Sequence, residues 1–323
     1  MGAVIRKELA DHFGSARFLI IMSLIFMVSF LLTHLAGQGI RDVLAEGGNT
    51  YLEGRTFLLL FTAPAAFFSL AVFLSIFGPL MSIVLGFDSI NRERNQGTLS
   101  KILSQPIHRD EVILGKYLAG LITIAVTLAS LLLLLTGMGL LGVGVVPTFD
   151  EARRLFVFFL LTLVYMGFWL GLSILVSIVF RSVATSAMAA AALWILVIFF
   201  LPVLSQAAAS ALAPFSDPAR PRAEEIAAYS QVHKAVNMVS PTGLYNQAGA
   251  ALLDPTHRGS DQAFRIAMMS RVDRYLLARF QGGIAFGQSM LIVMPDILLL
   301  LCFSILTFLL SYVVFVRQEV RSV

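Results

Sequence analysis

The sequence predicts an all-α membrane protein: six transmembrane helices, both termini cytoplasmic, and a helical insertion on the outer side between spans five and six. Three observations predict it. Of the 323 residues, 58% are hydrophobic and only 13% are charged, whereas roughly 25% are charged in an average soluble domain. Several apolar windows exceed ~18 residues, long enough for a helix rising about 1.5 Å per residue to cross a ~30 Å hydrocarbon layer. Lys and Arg in the short connections fall mostly on one side, which the positive-inside rule makes cytoplasmic.

The elements follow in chain order. The start, MGAVIRKELADHFGSAR, mixes Glu8 and Asp11 with its bases and leads into an apolar stretch longer than a signal-peptide core, so it is read as a retained anchor. Myristoylation is excluded because Arg6 stands where that pattern wants Ser or Thr. The first span is Phe18 to Leu35, followed by a polar loop from Arg41 to Arg55. The apolar stretch Phe57 to Phe87 is too long for one perpendicular crossing and contains Pro64 and Gly78-Pro79, which puts its start at the interface and the second span at Ala63 to Phe87. After the polar stretch Asp88 to Lys116 comes a third span, Tyr117 to Gly137, trailing into GMGLLGVGVVP. Asp150 to Arg154 caps a fourth, Leu155 to Phe180; Arg181 to Thr185 connects to a fifth, Ser186 to Leu204.

Between Ala213 and Gln288 five prolines punctuate charged and alanine-rich pieces. Within this insertion AEEIAAYSQVHKAV reads as a helix, with Glu224 and Glu225 in its first turn and a stop before Ser240-Pro241. PTGLYNQAGAALLD and Asp261 to Phe280 read as shorter helices, and Ile297 to Val316 as the last span. The domain reading is therefore 1–212 for five spans, 213–288 for the extracytoplasmic insertion, and 289–323 for the last span and cytoplasmic tail.

Orientation rests on Arg6, Lys7, Arg17, Arg92, Arg94, Lys101, Arg109, Lys116, Arg181, Arg317 and Arg321 on one side, against Arg41, Arg55, Arg153 and Arg154 in the short loops of the other. The eight bases of the long insertion carry little weight in that rule. The net charge of +4 is scattered and forms no patch of the kind nucleic acid needs. Cys302, the single cysteine, excludes an intrachain disulfide or a cysteine metal cluster.

Catalytic signatures are missing. The one Gly-Lys pair, Gly115-Lys116, has Asp110 where a phosphate loop needs its first glycine and Tyr117 where it needs a hydroxyl for magnesium. H-E-x-x-H and G-x-S-x-G do not occur. The chain is read as no enzyme, holding no cofactor and no metal. His233, His257, Met268, Met269, Met290 and Met294 have no coordination spacing, and the methionines read as packing residues. Asp296, beside Pro295, reads as first-turn carboxylate of the last helix near the outer surface, and Asp88 as a boundary residue. Gly167 with Gly171, and Ala187 with Ala191, permit close helix approach, within one protomer or across a dimer seam.

The informative stretch is DSINRERNQGTLSKILSQPIHRDEVILGK, Asp88 to Lys116. Gly97 interrupts the helix leaving the membrane and Thr98 can cap a new one. Leu99, Ile102 and Leu103 share one face of a short amphipathic helix that Pro106 ends. Asp110 and Glu111 then open the next helix. Such a helix offers an apolar stripe either to a cytosolic partner or to the lipid headgroups.

Glu93, Gly97-Thr98-Leu99, Pro106-Ile107, Arg109 and Gly115-Lys116 together resemble the ABC-2 type permease family, as do Arg6-Lys7-Glu8-Leu9 before the first span and Ser240-Pro241 with Tyr245 in the insertion. Permeases of nitrous oxide reductase maturation and gliding motility systems are similar in their large outer insertion. The resemblance implies two permease copies, in a homodimer or paired as two related permeases, working with two separate ATPase subunits that hold ATP and Mg²⁺. It implies that Glu93, Gly97, Thr98, Leu99, Ile102, Leu103, Pro106 and Arg109 belong to a coupling element seated on the ATPase, with Arg181 and Ser182 as a second contact. Val4 to Ser15, with Arg6, Lys7, Glu8 and Leu9, would be an amphipathic helix along the inner surface. The expected function is export of a substrate across a bacterial inner membrane, with membrane lipids as surroundings and no nucleic acid. The alternative is a subunit that relays ATPase motion to extracytoplasmic partners at the insertion without moving a substrate.

Overall fold

The computed structural model describes residues 1–45, 56–63, 68–98, 108–215, 222–253 and 286–317. Among them six helices are long and apolar enough to cross a membrane: Ala16–Asp42, Leu70–Asn95, Arg109–Val143, Phe149–Val179, Val183–Leu212 and Phe286–Arg317. Each runs longer than the apolar window in the sequence, for local reasons. The first helix pair is α1 (Gly2–Phe13) and α2 (Ala16–Ala45). α2 continues past His34 and Gln38 because their side chains, one turn apart, meet at 3.1 Å.

A buried short helix, α3 (Thr56–Thr62), precedes α4 (Leu70–Gly86), whose Ser69 hydroxyl caps its first turn by accepting from Val72 N. α5 (Asn91–Asn95) prolongs α4 beyond the apolar stretch. α6 (Arg109–Met138) takes Asp110 and Glu111 into its first turn and runs into a π-turn, Gly139–Val143, that ends at Gly144 with φ +76°. α7 (Phe149–Val179) opens on a reciprocal capping box between Thr148 and Glu151. The fifth span is α8 (Val183–Ile195), a π-turn (Leu196–Phe200) and α9 (Leu201–Leu212).

The insertion contributes α10 (Ala223–Asn237) and α11 (Pro241–Leu253), and both match the helices read from the sequence. Asp261 to Phe280 lies outside the described residues. α10 lies along α9, with Tyr229 packed on Ala209 and Ala213, and Ser205 Oγ donating to His233 O at 3.4 Å. α11 does not stand clear of the bundle. It runs antiparallel along α7, through Leu252 O on Arg154, Tyr245 on Thr162 (3.1 Å) and Thr242 on Tyr165 (3.1 Å), with the Tyr165 and Tyr245 rings stacked at 4.4 Å. This segment belongs to the proline-punctuated insertion. Its helix is nonetheless a bundle element, because Leu244, Tyr245, Ala248 and Leu252 form a buried face.

The last helix, α12 (Phe286–Arg317), corrects one expectation. It begins well before Ile297, so Pro295 lies inside it and Asp296, a buried residue, sits nearly three turns in rather than in the first turn. Its early start is supported by Ser289, eight residues before Ile297, which is fully buried and accepts from Arg154 Nη1 at 3.0 Å. Arg154, itself buried, also bonds Asp150 and Leu252 O.

α7 and α12 form the tightest seam. A side chain at Gly167 would meet Ser304 Oγ at 3.1 Å, and one at Gly171 would meet Thr307 Oγ1 at 2.7 Å. Ser311 Oγ donates to Gly171 O at 2.9 Å. Of the two settings open for this glycine pair, the structure places it within one chain.

Candidate functional site

Chemistry concentrates at the end of the bundle where α1, the α1–α2 elbow, α5 and the start of α6 meet. α1 lies against α6, and Gly115 is what allows the approach: a Cβ there would fall 2.9 Å from Val4 Cγ1. The next residue, Lys116, is buried and donates to Glu8 Oε1 at 2.9 Å and to Glu93 Oε1 at 3.0 Å. From the exposed side Lys7 Nζ reaches the same two oxygens, at 3.0 and 2.9 Å. Two ammonium groups and two carboxylates thus close a neutral ring joining α1, α5 and α6. Burial alone would raise the Glu8 carboxyl, but Lys116 and then Lys7 outweigh it and hold Glu8 below the usual carboxylate range. Burial likewise opposes the Lys7 charge, and Glu8 and Glu93 more than reverse that.

Beside the ring is a cleft of about 770 Å³ lined by α1, the elbow, α5 and Lys116. Across it Arg17, at the head of α2, pairs with Asp88 at 2.9 Å and lies over the Phe87 ring at 5.5 Å. His12 contacts Thr123 Oγ1 through Nδ1 at 3.1 Å. Burial pulls its pKa below the ordinary 6.5, Lys116 adds to the shift, and Glu8, Asp11 and Asp88 oppose it. A folded-state pKa below the unfolded one contributes stability that is complete above pH 6.5 and lost as pH falls through the folded value. Acidification below pH 6.5 is therefore expected to loosen α1 from α6, read as faster hydrogen exchange over Gly2–Phe13. His12→Asn is expected to flatten that pH dependence.

The structure treats the sequence-predicted residues unequally. Glu93 lies in the ring, buried, and not on an open docking face. Glu8, one turn into the expected interfacial helix, is buried beside it, while Arg6 and Lys7 are exposed and Leu9 half-buried. Gly97 adopts φ +68° just past α5, and Thr98, itself helical, donates back to Glu93 O at 3.2 Å, which closes the turn on the stem. Arg109 is the first residue of α6. Leu99, Ile102, Leu103 and Pro106 lie outside the described residues.

Arg181 and Ser182 are far from this stretch in sequence but adjacent to it in space. Asn95 Nδ2 donates to Arg181 O at 3.2 Å and Asn91 Nδ2 to Ser182 O at 3.5 Å. Ser177 Oγ accepts from Ile90 N (3.0 Å) and Asn91 N (3.2 Å), and Ser186 Oγ donates to Phe87 O at 2.6 Å. The two segments form one stitched unit. Missing from the sequence-predicted site are Lys116, which holds the stem, and Asn91 and Asn95, which tie it to the turn. The Gly-Lys pair at 115–116 was the available signal for the first.

Among known families, the sequence model of the ABC-2 family transporter protein aligns with residues 2–320. No curated protein matches the chain.

Proposed function

Because the chain belongs to the ABC-2 transporter family and is a multi-pass membrane protein with a permease role, we propose that it is the export permease driven by a separate ATPase subunit. In this reading ATP and Mg²⁺ are held by the ATPase, and a second copy of the chain completes the permease. The segment 99–106, which the sequence reads as a short amphipathic helix, seats on the ATPase, and the turn at Arg181 and Ser182 is a second contact. The observation that carries the reading is the stitched unit. Two segments 86 residues apart are hydrogen-bonded together at one end of the bundle, and their stem is bonded through Lys116 to α1 and α6.

A stem so tied moves with three helices at once, which is what transmission of a nucleotide-driven motion requires. Closure of the ATPase pair pulls on 99–106, the α5 stem follows, and α4 and α6 shift with it. The Glu8–Lys116–Glu93 ring carries α1 along. The apolar stripe is the part to disable, since Glu93 has a structural duty that would confound its substitution. Leu99→Asp with Ile102→Asp is expected to abolish copurification with the ATPase while the chain still inserts with its normal unfolding midpoint. Retained copurification would count against the assignment.

A further inference from the structure

We infer that the cleft between α1, the α1–α2 elbow and the α5 stem is a binding site for a phosphoethanolamine group, as the head of a phosphatidylethanolamine lipid or as a soluble phosphodiester. At about 770 Å³ the cleft has the size of a small-molecule site. Its floor is one face of the helix that runs from α4 into α5, where Leu85, Asp88, Ser89, Arg92, Glu93 and Gln96 recur at helical spacing. Two of these residues hold an oxygen in need of a partner. Glu93 is only 8% exposed; its Oε1 accepts from Lys7 and Lys116, while Oε2 has no hydrogen-bond partner among the described residues. Ser89 Oγ, one turn earlier on the same face, is likewise buried without a partner. An ionised carboxylate oxygen can only accept, so the group that completes Glu93 must be a donor, and a buried acceptor left without one costs free energy.

The ion pairs around the cleft are unevenly shared. Beside Glu93, the ammonium groups of Lys7 and Lys116 serve three carboxylates, because Lys7 Nζ also lies 3.4 Å from Asp11 Oδ2. On the elbow side, Arg17 and Arg92 share Asp88, the first at 2.9 Å and the second only at 4.0 Å. One side is short of a cation and the other of an anion. A primary ammonium joined to a phosphate by an ethylene link supplies both: the ammonium donates to Glu93 Oε2 and Ser89 Oγ, and the phosphate accepts from Arg92. Apolar surface continues from the site. Phe18 and Leu85 line the cleft, and Ile20 and Leu24, three and seven residues after Arg17 on the same face of α2, are exposed, so acyl chains attached to the phosphate can lie along that span.

The test is native mass spectrometry of the full chain in detergent, without the ATPase, titrated with phosphatidylethanolamine, phosphatidylcholine and phosphatidylglycerol of matched acyl chains. Phosphatidylcholine keeps the phosphate, but its quaternary ammonium has no hydrogen to donate; phosphatidylglycerol has no cation at all. Phosphatidylethanolamine should bind about tenfold more tightly than either, the worth of a hydrogen bond to a charged group. Ser89→Ala should narrow that preference. Arg92→Gln, at an exposed position, should weaken phosphatidylethanolamine and phosphatidylcholine alike by about threefold and leave the unfolding midpoint unchanged. Glycerophosphoethanolamine, which has the head and no acyl chains, separates the two sources: if it binds as tightly as the lipid the cleft serves a soluble ligand, and if it fails to displace the lipid in large excess the cleft serves the lipid. Equal affinity for phosphatidylethanolamine and phosphatidylcholine overturns the proposal. So does a preference that neither variant alters, which places the bound lipid elsewhere on the chain.

Discussion

Replacing Lys116 by Met is expected to destabilise the protein by about 3 kcal/mol, the lower end of the cost of breaking a buried ion pair. Glu8 and Glu93 would remain buried, with only the half-exposed Lys7 to compensate two carboxylates. Because the ring is what joins α1, α5 and α6, the loss is not confined to stability. Hydrogen exchange should accelerate over Gly2–Phe13 and over Asn91–Asn95 together. Adding Glu8→Gln and Glu93→Gln to Lys116→Met removes the stranded charges and should recover most of the unfolding midpoint, since neutral replacement of a whole buried network is often near neutral. Unaltered exchange in α1 in the single variant would show that the ring does not hold that helix.

Gly171→Val is expected to have an effect of similar size, about 3 kcal/mol, at the upper end for overpacking. A Cβ at Gly171 would lie 2.7 Å from Thr307 Oγ1, 3.3 Å from Thr307 Cβ and 3.2 Å from Phe308 N. The hydroxyl can rotate, but the backbone nitrogen cannot retreat without moving α12. Ser311 Oγ would also lose its acceptor geometry at Gly171 O. Gly137, where a Cβ would meet nothing within 4 Å, serves as the control, and Gly137→Val should cost well under about 1 kcal/mol. Since the seam lies inside one chain, the Gly171→Val effect should not depend on protein concentration, as a dimer seam would demand. Unfolding midpoints at two dilutions check this.

Much of the architecture was legible because the requirement behind it is written in composition: a helix that crosses lipid must be long and apolar, and six such windows stand out. The ends of those helices were not legible. Gln38 and Ser289 lie beyond the apolar windows, and His34 in the first case and Arg154 in the second give them partners within the helices. Asp296 misled for a different reason: a Pro-Asp pair reads as a helix start, whereas here it lies inside α12. α11 was recognised as a helix but not as a bundle element, since its buried face is made of Leu244, Tyr245 and small residues that carry no membrane-length signal.

At the site, the stretch Glu93 to Lys116 was identified from its pattern, while the division of labour within it was not. Glu93 and Lys116 point inward and act on each other, a pairing across 23 residues that no helical periodicity announces. The turn at Arg181 and Ser182 entered only through resemblance. Its hydrogen bonds to Asn91 and Asn95 supply a physical reason for treating it with the stem, because asparagine amides that reach carbonyls of another segment fix its position.

The most direct test of the account is the ATP hydrolysis rate of the partner ATPase in proteoliposomes, measured without the chain, with it, and with its Lys116→Met variant. Transmission through the stem predicts a rate that rises with the wild-type chain and falls back toward the ATPase-alone level with the variant. Equal rates in all three would contradict it.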